Sequence, residues 1–273
     1  MSKWRPLNDC IYIVPDIHGN VNLLEQFLAR VEPLRKSDQI IFLGDYIDRN
    51  KNSHLVLDRL IELKNKYSNQ IIFLMGNHEE MLLATCNKLP ERLNEKEISE
   101  YYKVFFFNGG INTIYGYLER LNLQEKIVAA ELAVQNIMET LVPDEHIKFL
   151  QSLKLYHETN SHIFVHAGCT INIPLSKQSR GRLLWNRDMV NEVVESMIQN
   201  KNLNWPKTVI TGHSFTKSKK PILYQEFMML DCGAPEQLLV VELNSMEAFM
   251  IHSNKSRMLK YSLEENKFNK NYE

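Results

Sequence analysis

The stretch CIYIVPDIHGNVNLLEQFLAR, residues 10–30, decides the fold class. Cys10 to Val14 is a short run rich in β-branched and aromatic residues and stopped by Pro15, so it reads as a strand. PDIHGN (15–20) is a polar turn. From about Val21 to Arg30 the apolar residues fall at helical spacing, with Leu23, Leu24, Phe27, Leu28 and then Val31 on one stripe. Strand, charged turn and amphipathic helix form the unit of an α/β sheet, and the unit recurs. Gln39 to Leu43 is a second strand, followed by GDYIDRN (44–50) and a helix that Ser53 can cap, with Leu55, Val56, Leu60, Ile61 and Leu63 facing inward. Gln70 to Met75 is a third strand and ends in GNHEE (76–80).

Outward from these units, the strand signal gives way from about Glu80 to Ser152 to helical stretches broken at Pro90, at Gly109 and Gly110, and at Pro143. Pro143 suits a helix start, because proline is tolerated in the first turn and Asp144 and Glu145 complement the helix dipole. This region reads as a helical insertion, about 80–152, within one domain spanning 1–273. Strands resume at HIFV (162–165) before HAG. LLWNRDMVNEVVESMI (183–198) carries a helix, and TVIT (208–211) ends at GHS. ILYQ (222–225), FMMLD (227–231), LLVVEL (238–243) and AFMIHS (248–253) predict a mixed or antiparallel sheet packed beside the first. The tail from about Asn254, rich in Lys and Asn, is expected to fray.

Composition narrows the class. Of 273 residues, 44% are hydrophobic and 24% charged, as in ordinary folded chains. Lys and Arg (32) nearly balance Asp and Glu (33), so no global charge draws the chain to nucleic acid or anionic lipid. Cys10, Cys86, Cys169 and Cys232 form no C-x-x-C pair, which argues against a thiolate zinc site and a disulfide-stapled fold and suits a reducing compartment. Neither a signal-peptide core nor a membrane-spanning run is visible, and a cytoplasmic protein is expected.

Chemistry concentrates at five strand ends, which carry Asp16 and His18; Asp45, Asp48 and Arg49; Asn77 and His78; His166; and His213. In open α/β sheets these ends face a common crevice, so residues distant in sequence can converge there. Carboxylate, imidazole and amide oxygen without thiolate are the ligands of Mn, Fe or Zn, and the candidates exceed what one tetrahedral ion needs. Two divalent ions are therefore expected, as in sites that drive in-line displacement at phosphorus. With Asp16 and Asp45 as the formal ligand charges, such a site keeps about +2, or about +1 with hydroxide bound, and attracts an anion such as a phosphate. Each motif alone has an ordinary reading: a turn, a helix cap, or a core histidine satisfied by backbone carbonyls. Their recurrence at successive strand ends is what ordinary turns do not explain.

The motifs PDIHG, GDYIDRN, GNHEE, HAG and GHS, in this order, resemble those of the calcineurin-like metallophosphoesterases, and within them the phosphoprotein phosphatase group, especially its small bacterial and phage members. The likeness extends to NGG-x-x-T (108–113), LLWNRD (183–188) and LDCGA (230–234), and so covers nearly the whole chain. It implies an αββα fold, a two-sheet β-sandwich flanked by helices. Asp16 and His18 would bind one metal, Asp45 would bridge to a second, and Asn77, His166 and His213 would complete the ligands of that second metal; spacing alone assigns no bridge. The resemblance further implies His78 as proton donor to the leaving oxygen, paired with Asp48, and Arg49 and Arg187 as holders of phosphate oxygens. Manganese is the expected metal, with iron or zinc as alternatives.

The implied activity is hydrolysis of phosphate monoesters on proteins, at phosphoserine or phosphothreonine and, more widely, phosphotyrosine, by direct attack of a metal-bridging hydroxide. Partners would be a phosphoprotein or a small phosphorylated substrate, with no nucleic acid and no membrane. Two other readings stand beside it: a dinucleoside polyphosphate hydrolase of the diadenosine tetraphosphatase type, which shares the motifs, and a catalytically silent scaffold. The lysines after His213 (Lys217, Lys219 and Lys220) suit the former. Three positions depart from the family pattern. Pro15 replaces Gly and removes a backbone donor, Asn50 replaces the Gly of DRG at a turn position open to positive φ, and Ser214 replaces Thr but keeps its hydroxyl.

Overall fold

Strand β1 (Ile11–Val14) runs parallel to β2 (Gln39–Phe42), and β2 to β3 (Ile71–Phe73), with helices α1 (Val21–Val31) and α2 (Ser53–Lys66) as the crossovers. This computed structural model describes residues 9–123, 138, 140–253, 258–262 and 267–268. The other edge of β1 is taken by β9 (Gln237–Glu242), antiparallel, and beyond it lie β10 (Glu247–His252), β11 (Met258–Ser262) and β12 (Lys267–Phe268). The sheet is seven-stranded, in the order β12-β11-β10-β9-β1-β2-β3. A second sheet has five strands ordered β4-β5-β6-β8-β7, from β4 (Tyr156–Glu158), β5 (His162–Val165), β6 (Thr208–Thr211), β7 (Ile222–Tyr224) and β8 (Phe227–Met229). Here β5, β6 and β8 are parallel.

Two expectations need correction. The C-terminal strands do not all build a sheet beside the first: ILYQ and FMMLD enter the second sheet, whereas LLVVEL and AFMIHS extend the first. Pairing with β9 satisfies an edge of β1 that a β-α repeat alone leaves open. The tail also holds β11 and β12 where fraying was expected, since main-chain bonding to a neighbouring strand does not depend on apolar side chains.

The strands separate three apolar layers by their period of two. Tyr12 and Val14, Ile40 and Phe42, and Leu238 and Val240 face the helices α1 and α2. Ile13, Ile41, Leu239 and Val241 meet Phe164, Ile210 and Met228 of the second sheet. Val165, Val209 and Phe227 point the other way, toward Met189 and Val193 of α8 (Asp188–Ile198), which follows α7 (Arg180–Trp185). The result is the expected arrangement of two packed sheets flanked by helices.

Between β3 and β4 the described residues are helical: α3 (Asn77–Thr85), α4 (Glu95–Phe105), a π-type turn (Phe106–Gly110), α5 (Ile111–Arg120) and α6 (Asp144–Gln151). Part of the expected insertion, 124–137 and 139, lies outside the described residues. Helix α6 starts after Pro143 as predicted and is tied down by buried His146, which bonds Tyr117 Oη at 2.7 Å and Asp58 Oδ1 at 2.8 Å. Three details differ from the sequence reading. Leu55 is exposed; Leu57 takes its place inside; and Asn52, not Ser53, occupies the cap position of α2. The Ser53 hydroxyl instead accepts from Asp48 N (3.0 Å) and donates to Asn50 O (2.9 Å), fixing the loop before the helix. Among the described residues no helix is long and apolar enough to cross a membrane.

Candidate metal centre

The carboxyl ends of β1, β2, β3, β5 and β6 deliver their loops to one place between the sheets. The first loop is bonded to the second, with Ile17 N and His18 N donating to Asp45 O (3.0 Å each) and Gly19 N to Tyr46 O (2.7 Å). The turns are sharp enough that His18, Asp45, Asp48, Arg49 and His213 all adopt left-handed backbone, with φ between 47° and 73°. Such conformations in non-glycine residues are costly and collect at functional sites. Asn50, whose position was open to positive φ, is not among them; Asp48 and Arg49 absorb the turn. Two glycines permit the close approach: a Cβ on Gly76 would lie 2.0 Å from Asp45 Oδ1, and one on Gly212 would lie 2.2 Å from Asp16 Oδ1.

Four donor atoms meet at one end of the cluster. His166 Nε2 lies 3.3 Å from Asp45 Oδ1, 3.1 Å from Asn77 Oδ1 and 3.2 Å from His213 Nδ1, and the last two atoms are 2.9 Å apart. Donors around an ion held at about 2.0–2.2 Å are spaced at about 3 Å or slightly more, so this is the spacing of a coordination shell. At the other end His18 Nε2 lies 3.8 Å from both Asp16 Oδ2 and Asp45 Oδ2. Backbone contacts orient the rings: His18 Nδ1 donates to Ile47 O and His166 Nδ1 to Leu43 O, at 2.9 Å each, which turns each Nε2 lone pair inward. The imidazole Nε2 of His18 is buried with no hydrogen-bond partner. An unsatisfied buried acceptor of this kind fits a cation.

Charge points the same way. Burial and the nearby Asp231 and Asp45 carboxylates push Asp16 well above the usual carboxylate range. Burial and His166 hold His213 down to about 2, and burial and His78 hold His18 well below its ordinary value, which favours the neutral form a ligand needs. Against burial, the Asp45 carboxylate instead raises His166 to about 9, holding a proton that a cation would displace. Buried carboxylates facing one another need positive charge among them, and two divalent cations supply it. The donor set fits that group without any thiolate.

His78 sits on the first turn of α3 beside this cluster. Its Nδ1 donates to Asp48 Oδ2 at 2.6 Å, and Thr113 Oγ1 donates to Asp48 Oδ1 at 2.6 Å. Burial opposes a charged ring, but the Asp45 and Asp48 carboxylates outweigh it and raise His78 above its ordinary value. His78 Nε2 is also 3.8 Å from Asp45 Oδ2, and His18, Asp45 and His78 form a tight group of donor atoms. The short Asp48 contact favours the protonated ring, a form suited to donating a proton. Arg49 N donates to Gly109 O (3.0 Å) and its guanidinium to Ala234 O (3.3 Å), while Arg187 donates to Ser214 Oγ (3.3 Å) beside His213. All ten residues expected at the site thus lie around one centre.

Three further residues belong to its frame. Buried Glu79 accepts from Asp45 N, Tyr46 N and Gly76 N at 2.8–2.9 Å, gathering the second and third loops; burial and Asp45 raise its pKa to about 7. The spacing G-x-x-E of a helix start was the available signal. Thr113 supports Asp48 from NGG-x-x-T. Asp231 follows β8, a sixth strand end that the same rule covers, and its Oδ1 accepts from Gly233 N (2.8 Å) and Ala234 N (3.3 Å). The left-handed backbone gave no signal in the residue types.

The sequence model of the calcineurin-like phosphoesterase family matches residues 11–215. A Caenorhabditis elegans protein provisionally described as a serine/threonine-protein phosphatase is 38% identical over 96 residues, 35% of this chain and 21% of that one. The catalytic subunit of serine/threonine-protein phosphatase 6 of Drosophila melanogaster is 38% identical over 74 residues, 27% of this chain and 24% of that one. The match therefore spans about a quarter or less of these relatives' length. A crystal structure provisionally described as a diadenosine tetraphosphatase superposes with a TM-score of 0.58 over 92% of this chain and 96% of that one, at 16% identity, a likeness of fold.

Proposed function

The chain belongs to the calcineurin-like phosphoesterase family, and from that premise we propose that it is a metal-dependent phosphatase acting on phosphate monoesters of proteins, at phosphoserine and phosphothreonine and, more widely, phosphotyrosine. One observation carries the reading: the donor cluster of Asp45, Asn77, His166 and His213 stands beside the hydrogen-bonded His78–Asp48 pair. A ligand cluster alone is a metal store; a ligand cluster with an acid aimed past it suits cleavage of a bond with a poor leaving group.

Asp16, His18 and Asp45 would hold one divalent cation, and Asp45, Asn77, His166 and His213 the other. Bound there, manganese, with iron or zinc as alternatives, supplies water activation near neutral pH and neutralises phosphate charge. The remaining work falls to the chain. Arg49 and Arg187 grip phosphate oxygens, each fork able to take two and to favour the charge spread over them as the bond breaks. His78, its Nδ1 committed to Asp48, presents Nε2 to the leaving oxygen and gives up its proton there. Without that proton a serine or threonine alkoxide is a poor leaving group. Residues 1–273 act as a single catalytic domain in the cytoplasm, with the helices of about 80–152 as an insertion.

A dinucleoside polyphosphate hydrolase is the second reading, favoured by the exposed Lys217, Lys219 and Lys220 beyond His213. Incubating the chain with manganese and phosphopeptides of Ser, Thr and Tyr, or with diadenosine tetraphosphate, tests both. Release of inorganic phosphate from the peptides is the expected result; turnover confined to the dinucleotide would replace the first reading with the second.

A further inference from the structure

Residues 49–52, which lead into α2, and one face of α5 enclose an open cavity of roughly 660 Å³. From α5 it is lined by Asn112, Tyr115 and Glu119, spaced i, i+3 and i+7 and therefore on one helix face. Arg49 belongs both to this cavity and to the proposed phosphate site, so the cavity adjoins that site.

The lining is unusual in what it leaves free. Asn52 occupies the cap position of α2, yet its side chain accepts no helix N–H, whereas Asn20 and Asn94 cap α1 and α4 by accepting from Leu23 N (3.3 Å) and Glu97 N (3.0 Å). Among the described residues the side chains of Asn52, Asn112 and Tyr115 make no hydrogen bond, although all three are half-buried. Charge is scarce: Lys51 Nζ is paired with Glu119 Oε1 at 3.0 Å, which leaves Arg49 as the cation of the lining not paired with an acid. A polyphosphate would need more unpaired cations, and a nucleobase is held between flat faces, of which Tyr115 offers one. Side-chain amides that both donate and accept, beside one aromatic ring, suit a peptide backbone and a flanking side chain.

Resting on the phosphatase reading, the geometry points to this cavity as the subsite for the polypeptide that carries the phosphorylated residue, with Asn52 and Asn112 meeting its main chain and Tyr115 an adjacent side chain. The test uses the full chain with added manganese and three substrates: a phosphoserine peptide, 4-nitrophenyl phosphate and diadenosine tetraphosphate. In an Asn112→Ala, Tyr115→Ala variant, KM for the peptide should rise about tenfold at unchanged kcat, as expected for two lost polar contacts and a ring, while kcat/KM for 4-nitrophenyl phosphate stays within about twofold. Tyr115→Phe and Asn112→Ser, milder changes should the double variant not fold, should give smaller shifts of the same kind. Anisotropy of a labelled peptide carrying a non-hydrolysable phosphonate, on the manganese-loaded protein, should show the same ranking without turnover. Equal losses on peptide and 4-nitrophenyl phosphate, or no loss on either, would overturn the subsite, and a larger loss on the dinucleotide would assign it to a nucleotide. If the unaltered chain hydrolyses none of the three, the phosphatase reading itself fails.

Discussion

At the scale of single residues, the 2.6 Å contact between His78 and Asp48 makes the sharpest commitments. The carboxylates of Asp45 and Asp48 keep His78 above its ordinary value, which favours the protonated ring. In Asp48→Asn that support is weaker, the pKa falls, and the alkaline limb of the pH–rate curve should move to lower pH. With a phosphoserine peptide, His78→Asn should lower kcat about 10²–10³-fold, but with 4-nitrophenyl phosphate, whose leaving group needs no proton, far less. Equal losses on the two would rule out the acid role. Asp45→Asn should lower bound metal from two equivalents to one or fewer and cut turnover at least about 10³-fold, with the far-ultraviolet spectrum unchanged. Elemental analysis of the purified variant checks this. The candidates at this scale were legible because their types recur at strand ends. Glu79 and Asp231 were not singled out, since a carboxylate that gathers backbone N–H groups looks in sequence like any helix-start or turn acid.

At the scale of elements, the turn between α1 and β2 is held by Asp38, which accepts from Cys10 N (3.1 Å), Arg35 N (3.0 Å) and the Arg35 guanidinium (2.8 Å). Burial would raise its pKa, but these donors outweigh burial and hold it below the usual carboxylate range. A carboxyl with a lowered folded-state pKa stabilises the fold above its unfolded value of about 3.9, and that contribution disappears as pH falls through the folded-state value. Asp38→Asn should therefore cost about 1.5–3 kcal/mol in urea unfolding at pH 7, with the gap to the unaltered chain closing in strong acid. A constant gap would mean that lost shape, not charge, is responsible. The strands and the helices α1, α2 and α6 could be read locally, since period and punctuation specify them. Which sheet a strand joins could not, because β9 finds β1 more than two hundred residues away, and nothing in LLVVEL distinguishes that neighbour from β6.

At the scale of the molecule, the two sheets share one centre: the first supplies Asp16, His18, Asp45, Asn77 and His78, and the second His166, His213 and Asp231. Because the buried carboxylates repel one another, divalent cations should hold the sheets together. Saturating manganese, at about a hundredfold excess over Kd, should add about 2.7 kcal/mol and raise Tm by several degrees, and a chelator should reverse it. Scanning calorimetry of the unaltered chain and of Asp45→Asn, which should respond weakly, measures this coupling. The two-sheet architecture was legible through the family resemblance more than through periodicity, which shows strands but not their stacking. The pairing of β1 with β9 also orders events at the ribosome. A strand among the first made keeps one flank bare until residues 237–242 emerge, so a message that stops short of Gln237 yields a sticky fragment destined for degradation or clumping, not a feebler enzyme.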